Sequence, residues 1–128
     1  MHRRNFIKNA GIAATGFILL PSGELFALDS AIDIKVKIAI IGVGLRGQDH
    51  LELLLRRDDV DVVAICDISD RMLKDAKELV TKFNKKMPEI FTGDNYSYQK
   101  LLEKYKGIDG ILIATPWEWH KPMILDSI

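Results

Sequence analysis

Two short segments of this chain place reactive or ligand-binding residue types at fixed spacing. The first is Gly42-Val43-Gly44-Leu45-Arg46-Gly47, which follows directly on the β-branched run Val36–Ile41. Its glycines stand at the spacing G-x-G-x-x-G. Gly42 permits a tight turn out of a strand, Gly44 lets a pyrophosphate approach the backbone, and Gly47 lets the next helix pack closely on the sheet. The N-terminus of that helix offers free N–H groups and a partial positive charge to phosphate. A second apolar run, Val60–Cys66, ends in Asp67. An acid about twenty residues beyond the glycines accepts hydrogen bonds from a ribose diol. Strand, glycines, helix, strand and acid in this order describe a dinucleotide site; the bland alternative is a βαβ turn with no ligand. Ile68, Ser69 and Asp70 offer no base for a 2′-phosphate, and Arg71 is the nearby cation. NAD is therefore favoured over NADP.

The second segment is Thr115-Pro116-Trp117-Glu118-Trp119-His120, after a later apolar run. In an open parallel sheet, ligands sit beyond the carboxyl ends of the strands. The glycine turn, Asp67 and this segment all fall there. Trp117, Trp119 and His120 in a loop would form a flat apolar wall with polar tips, suited to nicotinamide and a sugar. Composition supports equally a reading in which the tryptophans cover a missing part of the protein. His120 fits either a cofactor contact or a cap on the following helix. Composition makes Glu118 a solvated loop acid.

These segments need a scaffold. The pattern predicts strands at Val36–Ile41, Val60–Cys66, Ile90–Thr92 and Ile108–Ala114. The continuous apolarity of Val60–Cys66 fits a parallel strand covered on both faces. Helices are expected at Leu45–Arg57, with Leu51, Leu54 and Leu55 inward, and at Asp70–Asn84. In the latter Asp70 is the N-cap, and Met72, Ala76, Leu79, Val80 and Phe83 form the buried side. A third helix, Ser97–Lys106, ends at Gly107. Thr115–Lys121 reads as a loop, and Pro122 as the first residue of a fourth helix. The order βαβαβαβ predicts an α/β fold, a doubly wound parallel sheet of the Rossmann type. Four strands cover such a sheet poorly. Residues 32–128 thus read as the N-terminal NAD-binding domain of a larger protein, incomplete at its C-terminal end. Its open apolar surface, at Ile108–Ala114 and the two tryptophans, favours self-association.

The chain has 128 residues, 48% of them hydrophobic, and a formal net charge of zero. That fits one modest globular domain and gives no basic surplus for nucleic acid. The single cysteine excludes an internal disulfide framework, and Cys66 reads as a small buried hydrophobe. Residues 1–31 read as a targeting segment. Arg3-Arg4-Asn5-Phe6-Ile7-Lys8 precedes the apolar stretch Ala10–Leu20, which is too short to span a bilayer. The paired arginines resemble a twin-arginine export signal, which implies a periplasmic or extracellular destination without a stable membrane anchor. The alternative is an amphipathic helix packed on the domain. Export of folded protein suits a chain that carries its dinucleotide with it.

Ala39–Gly47, Ala64–Asp67 with Arg71, and Ala114-Thr115-Pro116 with His120 resemble the glucose-fructose oxidoreductase / inositol dehydrogenase (Gfo/Idh/MocA) family. That family usually shows Thr-Pro-Asn-x-x-His in the last loop, and Trp117 stands here in place of the Asn. Thr-Pro-Trp-Glu-Trp-His instead resembles the NAD-dependent α-N-acetylgalactosaminidases of glycosyl hydrolase family 109. The resemblance implies pyrophosphate contact at Leu45 and Arg46, ribose contact at Asp67, and NAD contact along Trp117, Glu118, Trp119 and His120. It also implies a second α+β domain, absent from this chain, that holds the catalytic residues and binds a sugar or glycoside. The implied reaction is redox-assisted hydrolysis. A hydride passes from C3 of the sugar to NAD⁺, the C1 substituent is eliminated, water adds, and the hydride returns. Such chemistry needs no pair of carboxylates flanking the bond. The alternatives are a net sugar or polyol oxidoreductase on the same fold, and a non-catalytic NAD-binding fragment.

Overall fold

The computed structural model describes residues 34–128. The segment read above as an export signal lies outside the described residues. Four strands and four helices alternate: β1 (Val36–Ile41), α1 (Leu45–Leu55), β2 (Val60–Cys66), α2 (Asp70–Lys82), β3 (Glu89–Phe91), α3 (Ser97–Lys104), β4 (Gly110–Ile113) and α4 (Trp117–Asp126). The strands form one sheet in the order β3-β2-β1-β4, and every pairing is parallel. The chain thus runs outward from β1 to β3, then crosses back to place β4 on the other side of β1.

The alternation of side chains along the strands divides the core in two. Ile40 and Ile65 face one layer, with Leu51 and Leu55 of α1 and Leu73, Ala76 and Val80 of α2. Ala39, Ile41, Ala64 and Cys66 face the other, with Tyr98 and Leu101 of α3 and Met123 of α4. Ile40, Ile65 and Leu51 are fully buried, each contributing about 1.5–3 kcal/mol. The β1–β2 register slips by one residue between Ile38 and Ala39, which sets Cys66 opposite Ile41. Asp67, the next residue, therefore emerges level with the glycine turn.

Three expectations are corrected. Ser69, not Asp70, is the N-cap of α2: its hydroxyl oxygen accepts from the Met72 N–H at 3.4 Å, and Asp70 stands in the first turn. Leu73, missing from the expected inward face, is the buried residue at the start of that helix, while Met72, Leu79 and Phe83 pack on the same core as expected, partly buried. The fourth helix begins at Trp117, five residues before Pro122, which lies inside it. Pro116 has φ −56°, a value that starts a helix without strain, and the Trp119 N–H already bonds the Pro116 carbonyl at 3.0 Å. Pro122 therefore costs the helix one interior hydrogen bond rather than opening it.

The far end of α4 is tied to α3. The buried Tyr98 ring sends its hydroxyl to Asp126 Oδ2 at 2.7 Å, and the Gln99 amide donates to the same oxygen at 3.2 Å. These bonds, Tyr98 first, hold the Asp126 carboxyl below its ordinary pKa of 3.8. Burial, then the bond to Asp126, raises the Tyr98 phenol above 10.0. Folded Asp126 binds its proton more weakly than unfolded Asp126. Its contribution is present above 3.8 and is lost as the pH falls through the lower folded value. Tyr98 has the opposite sign: its contribution is present below 10.0 and is lost as the pH rises through the raised value. Tyr98→Phe should lower the urea midpoint at neutral pH, with the gap to wild type narrowing from about pH 5 to about pH 2. Equal midpoints at neutral pH would remove this tie from the account.

Candidate functional site

The glycine turn is built by close approach. Gly42 has φ +92°, and its N–H donates to the Cys66 carbonyl at 2.8 Å. A Cβ on Gly42 would lie 2.8 Å from the Ala114 carbonyl carbon and 2.9 Å from Thr115 Cγ2, so the end of β4 also leaves no room for a side chain. A Cβ on Gly47 would overlap the Gly42 carbonyl, since α1 packs directly on the turn. Gly44 differs: a Cβ there meets nothing within 4 Å. It is the N-cap of α1, and with no side chain to cap them the first amides of that helix stay available to a ligand. Across from it, Asp67 Oδ2 accepts from the Val43 N–H at 2.7 Å, and Oδ1 from the Ser69 N–H at 2.8 Å. An ionised carboxylate offers about four acceptor positions, so two remain for a ribose.

These groups open into a cleft of about 250 Å³ at the carboxyl ends of the strands. Gly42 and Gly44 form one side. Asp67 and Ile68 follow from the β2–α2 connection and Met72 from the first turn of α2. Asp94 and Asn95 come from the β3–α3 connection and Tyr98 from the first turn of α3, and Thr115 and Pro116 from the β4–α4 connection with Trp119 and Met123 from α4. Trp119 is held edge-on by Tyr96, with ring centroids 5.8 Å apart at 78°. Cys66 also lines the cleft. Burial, then the charges of Asp67 and Asp94, pushes its thiol up to about 12, so it is no nucleophile at neutral pH. Among the described residues no three His, Cys, Asp or Glu side chains gather as a metal site.

The residues singled out by sequence fall in three places. Gly42, Gly44, Asp67 and Trp119 line the cleft. Gly47 lies beneath the turn. Leu45 is 82% exposed, and Arg46 stands in solvent with Asp49 at 3.9 Å. The flat wall of two tryptophans and a histidine in a loop is not what forms. Because α4 starts at Trp117, Trp117 and His120 share one helix face, whereas Trp119 points to another. Trp117 is 91% exposed and stacks on His120, with centroids 6.4 Å apart at 7°. His120 Nε2 lies 2.7 Å from the Thr115 carbonyl oxygen; a carbonyl only accepts, so Nε2 carries the proton and donates. Glu118 sits in the first turn of α4, where its charge suits the helix dipole. Sequence reasoning passed over Asp94, Asn95 and Tyr98. The rule that ligands sit beyond strand ends applies to β3 as well, and the turn Gly93–Asn95 was the available signal.

A four-stranded parallel sheet with a glycine turn, a facing acid and a cleft at the strand ends defines a nucleotide-binding α/β domain. The chain belongs to the oxidoreductase family with the NAD-binding Rossmann fold, whose model matches residues 36–128. It is 45% identical over 131 residues to a glycosyl hydrolase family 109 protein of Stenotrophomonas maltophilia, covering all of this chain and 27% of that protein. It is 35% identical over 145 residues to one of Shewanella baltica, covering all of this chain and 31% of that protein. The chain thus spans under a third of the length of these relatives. Its fold is similar to scyllo-inositol dehydrogenase from Lactobacillus casei, solved with NAD(H) and scyllo-inositol: the TM-score is 0.57 at 20% identity, covering 73% of this chain and 25% of that one. It is similar also to GenD2 from gentamicin A biosynthesis, solved with NAD: the TM-score is 0.52 at 22% identity, covering 71% and 23%.

The residues present fit NAD. Gly44 leaves space where a side chain would stand, the helix amides behind it are uncapped, and Asp67 keeps acceptor capacity. Gly44→Ala should leave stability within about 0.5 kcal/mol yet weaken NAD binding about tenfold, ~1.4 kcal/mol. Gly47→Ala should instead destabilise the fold by about 1–3 kcal/mol, because its Cβ meets backbone. Chemical denaturation and calorimetric titration of both variants check the contrast.

Proposed function

We propose that this chain is the NAD-binding part of an exported sugar-active enzyme, a glycosidase of the α-N-acetylgalactosaminidase type. One observation carries the reading: a single cleft joins the glycine turn and Asp67 to the Thr115–Trp119 segment. The family 109 names of the relatives support it. In this reading Asp67 accepts the ribose hydroxyls, and the first amides of α1 receive the pyrophosphate. Ile68, Met72, Pro116 and Trp119 keep water from a flat ring. NAD, when bound, supplies a hydride acceptor that can later return the hydride, so cleavage proceeds without net oxidation.

The family's description as an oxidoreductase family favours a second reading, net oxidation of a sugar or polyol. A chimaera separates the two. Residues 34–128 would replace the matching segment of the Stenotrophomonas maltophilia relative, and an N-acetyl-α-galactosaminide would be supplied with NAD⁺. The expected result is release of N-acetylgalactosamine with no accumulation of NADH. Steady NADH formation without glycoside cleavage would favour the second reading instead.

A further inference from the structure

The turn that would hold the pyrophosphate is fixed from two sides through one residue. Val43, between Gly42 and Gly44, is fully buried against α1 and α2. Its N–H donates to Asp67 Oδ2 at 2.7 Å, and its carbonyl accepts from Gln48 Nε2 at 3.1 Å. The same Gln48 nitrogen approaches Met72 Sδ at 3.6 Å, which steadies the amide against α2. Both peptide planes that meet at Val43 are therefore held by side chains. The Val43–Gly44 peptide, like every peptide among the described residues, is trans, so the N–H of Gly44 points away from the Val43 carbonyl. By holding that carbonyl, Gln48 fixes the direction of the next amide, on the residue with open space beside it.

We infer that Gln48 is a positioning residue for the pyrophosphate turn, acting on it through the backbone of Val43. The inference rests on the reading of this turn as the phosphate site for NAD. Gln48 does not line the cleft. Without its amide, the Val43–Gly44 peptide is free to rotate. A ligand with phosphates must then order the turn as it binds, and affinity falls by that ordering cost. A ligand without phosphates does not use the turn and loses nothing.

The two ligand classes give the test. Gln48→Met keeps an unbranched chain of similar length, suits a helix, and removes the donor. On the full chain, NAD and ADP should bind about tenfold more weakly to Gln48→Met, while adenosine binds as to wild type. Hydrogen exchange at the Val43 amide, which is bonded to Asp67, should accelerate, with the Ile40 and Ile65 amides unchanged. Gln48→Ala, which removes the same donor without adding bulk, should give the same split if the methionine variant does not fold. Unchanged NAD affinity would overturn the inference. So would equal weakening of NAD and adenosine, which marks a general loss of structure. Failure of the wild-type chain to bind any of the three ligands would overturn the cofactor reading itself, and the inference with it.

Discussion

Three stretches of backbone meet at Gly42, and the rest of the site depends on how closely they do so. Its N–H is bonded to the end of β2, its missing side chain makes room for the end of β4, and its carbonyl lies under the first turn of α1. No other residue type tolerates φ +92° there together with that crowding. This approach brings the carboxyl ends of β1, β2 and β4 to one level. The slip of register in β2 completes the arrangement, since it sets Asp67 level with Gly42 rather than one residue further along, level with Val43. The cleft results from these contacts and needs no separate device.

The electrostatics of that cleft set how a phosphate ligand would be held. Its lining carries two acids, Asp67 and Asp94, and no lysine or arginine. Arg46, the cation of the glycine motif, stands in solvent near Asp49. Charge on a pyrophosphate must therefore be met by backbone amides and the dipole of α1, as helix N-termini allow. Amides act only where their direction is fixed, so the packing of Val43 and the bonds around it bear directly on ligand binding.

Much of this was legible in the sequence, and for identifiable reasons. The strands, the glycine turn and Asp67 follow from local rules: β-branched runs, glycine spacing and an acid at a strand end. The helix beginning at Trp117 did not follow, because two prolines competed for the role of first residue. Pro122 looked like a helix start, yet Pro116 already supplied the required φ one residue ahead of Trp117. That error moved three side chains, because helical geometry puts Trp117 and His120 on one face and turns Trp119 to another. Asp94, Asn95 and Tyr98 were illegible for another reason. β3 is only three residues long, and its periodicity is too weak to show that the turn after it reaches the cleft.

The central claim is that one cleft at the carboxyl ends of the strands receives NAD on a turn already formed. Titration of the isotopically labelled 128-residue chain with NAD, followed by amide chemical shifts, tests it most directly. The account predicts saturable changes at Gly42–Gly47, Asp67–Ser69 and Thr115–Trp119, with none at Asn84 and Lys85 on the opposite end of the sheet. Absence of saturation, or changes centred at that opposite end, would contradict it.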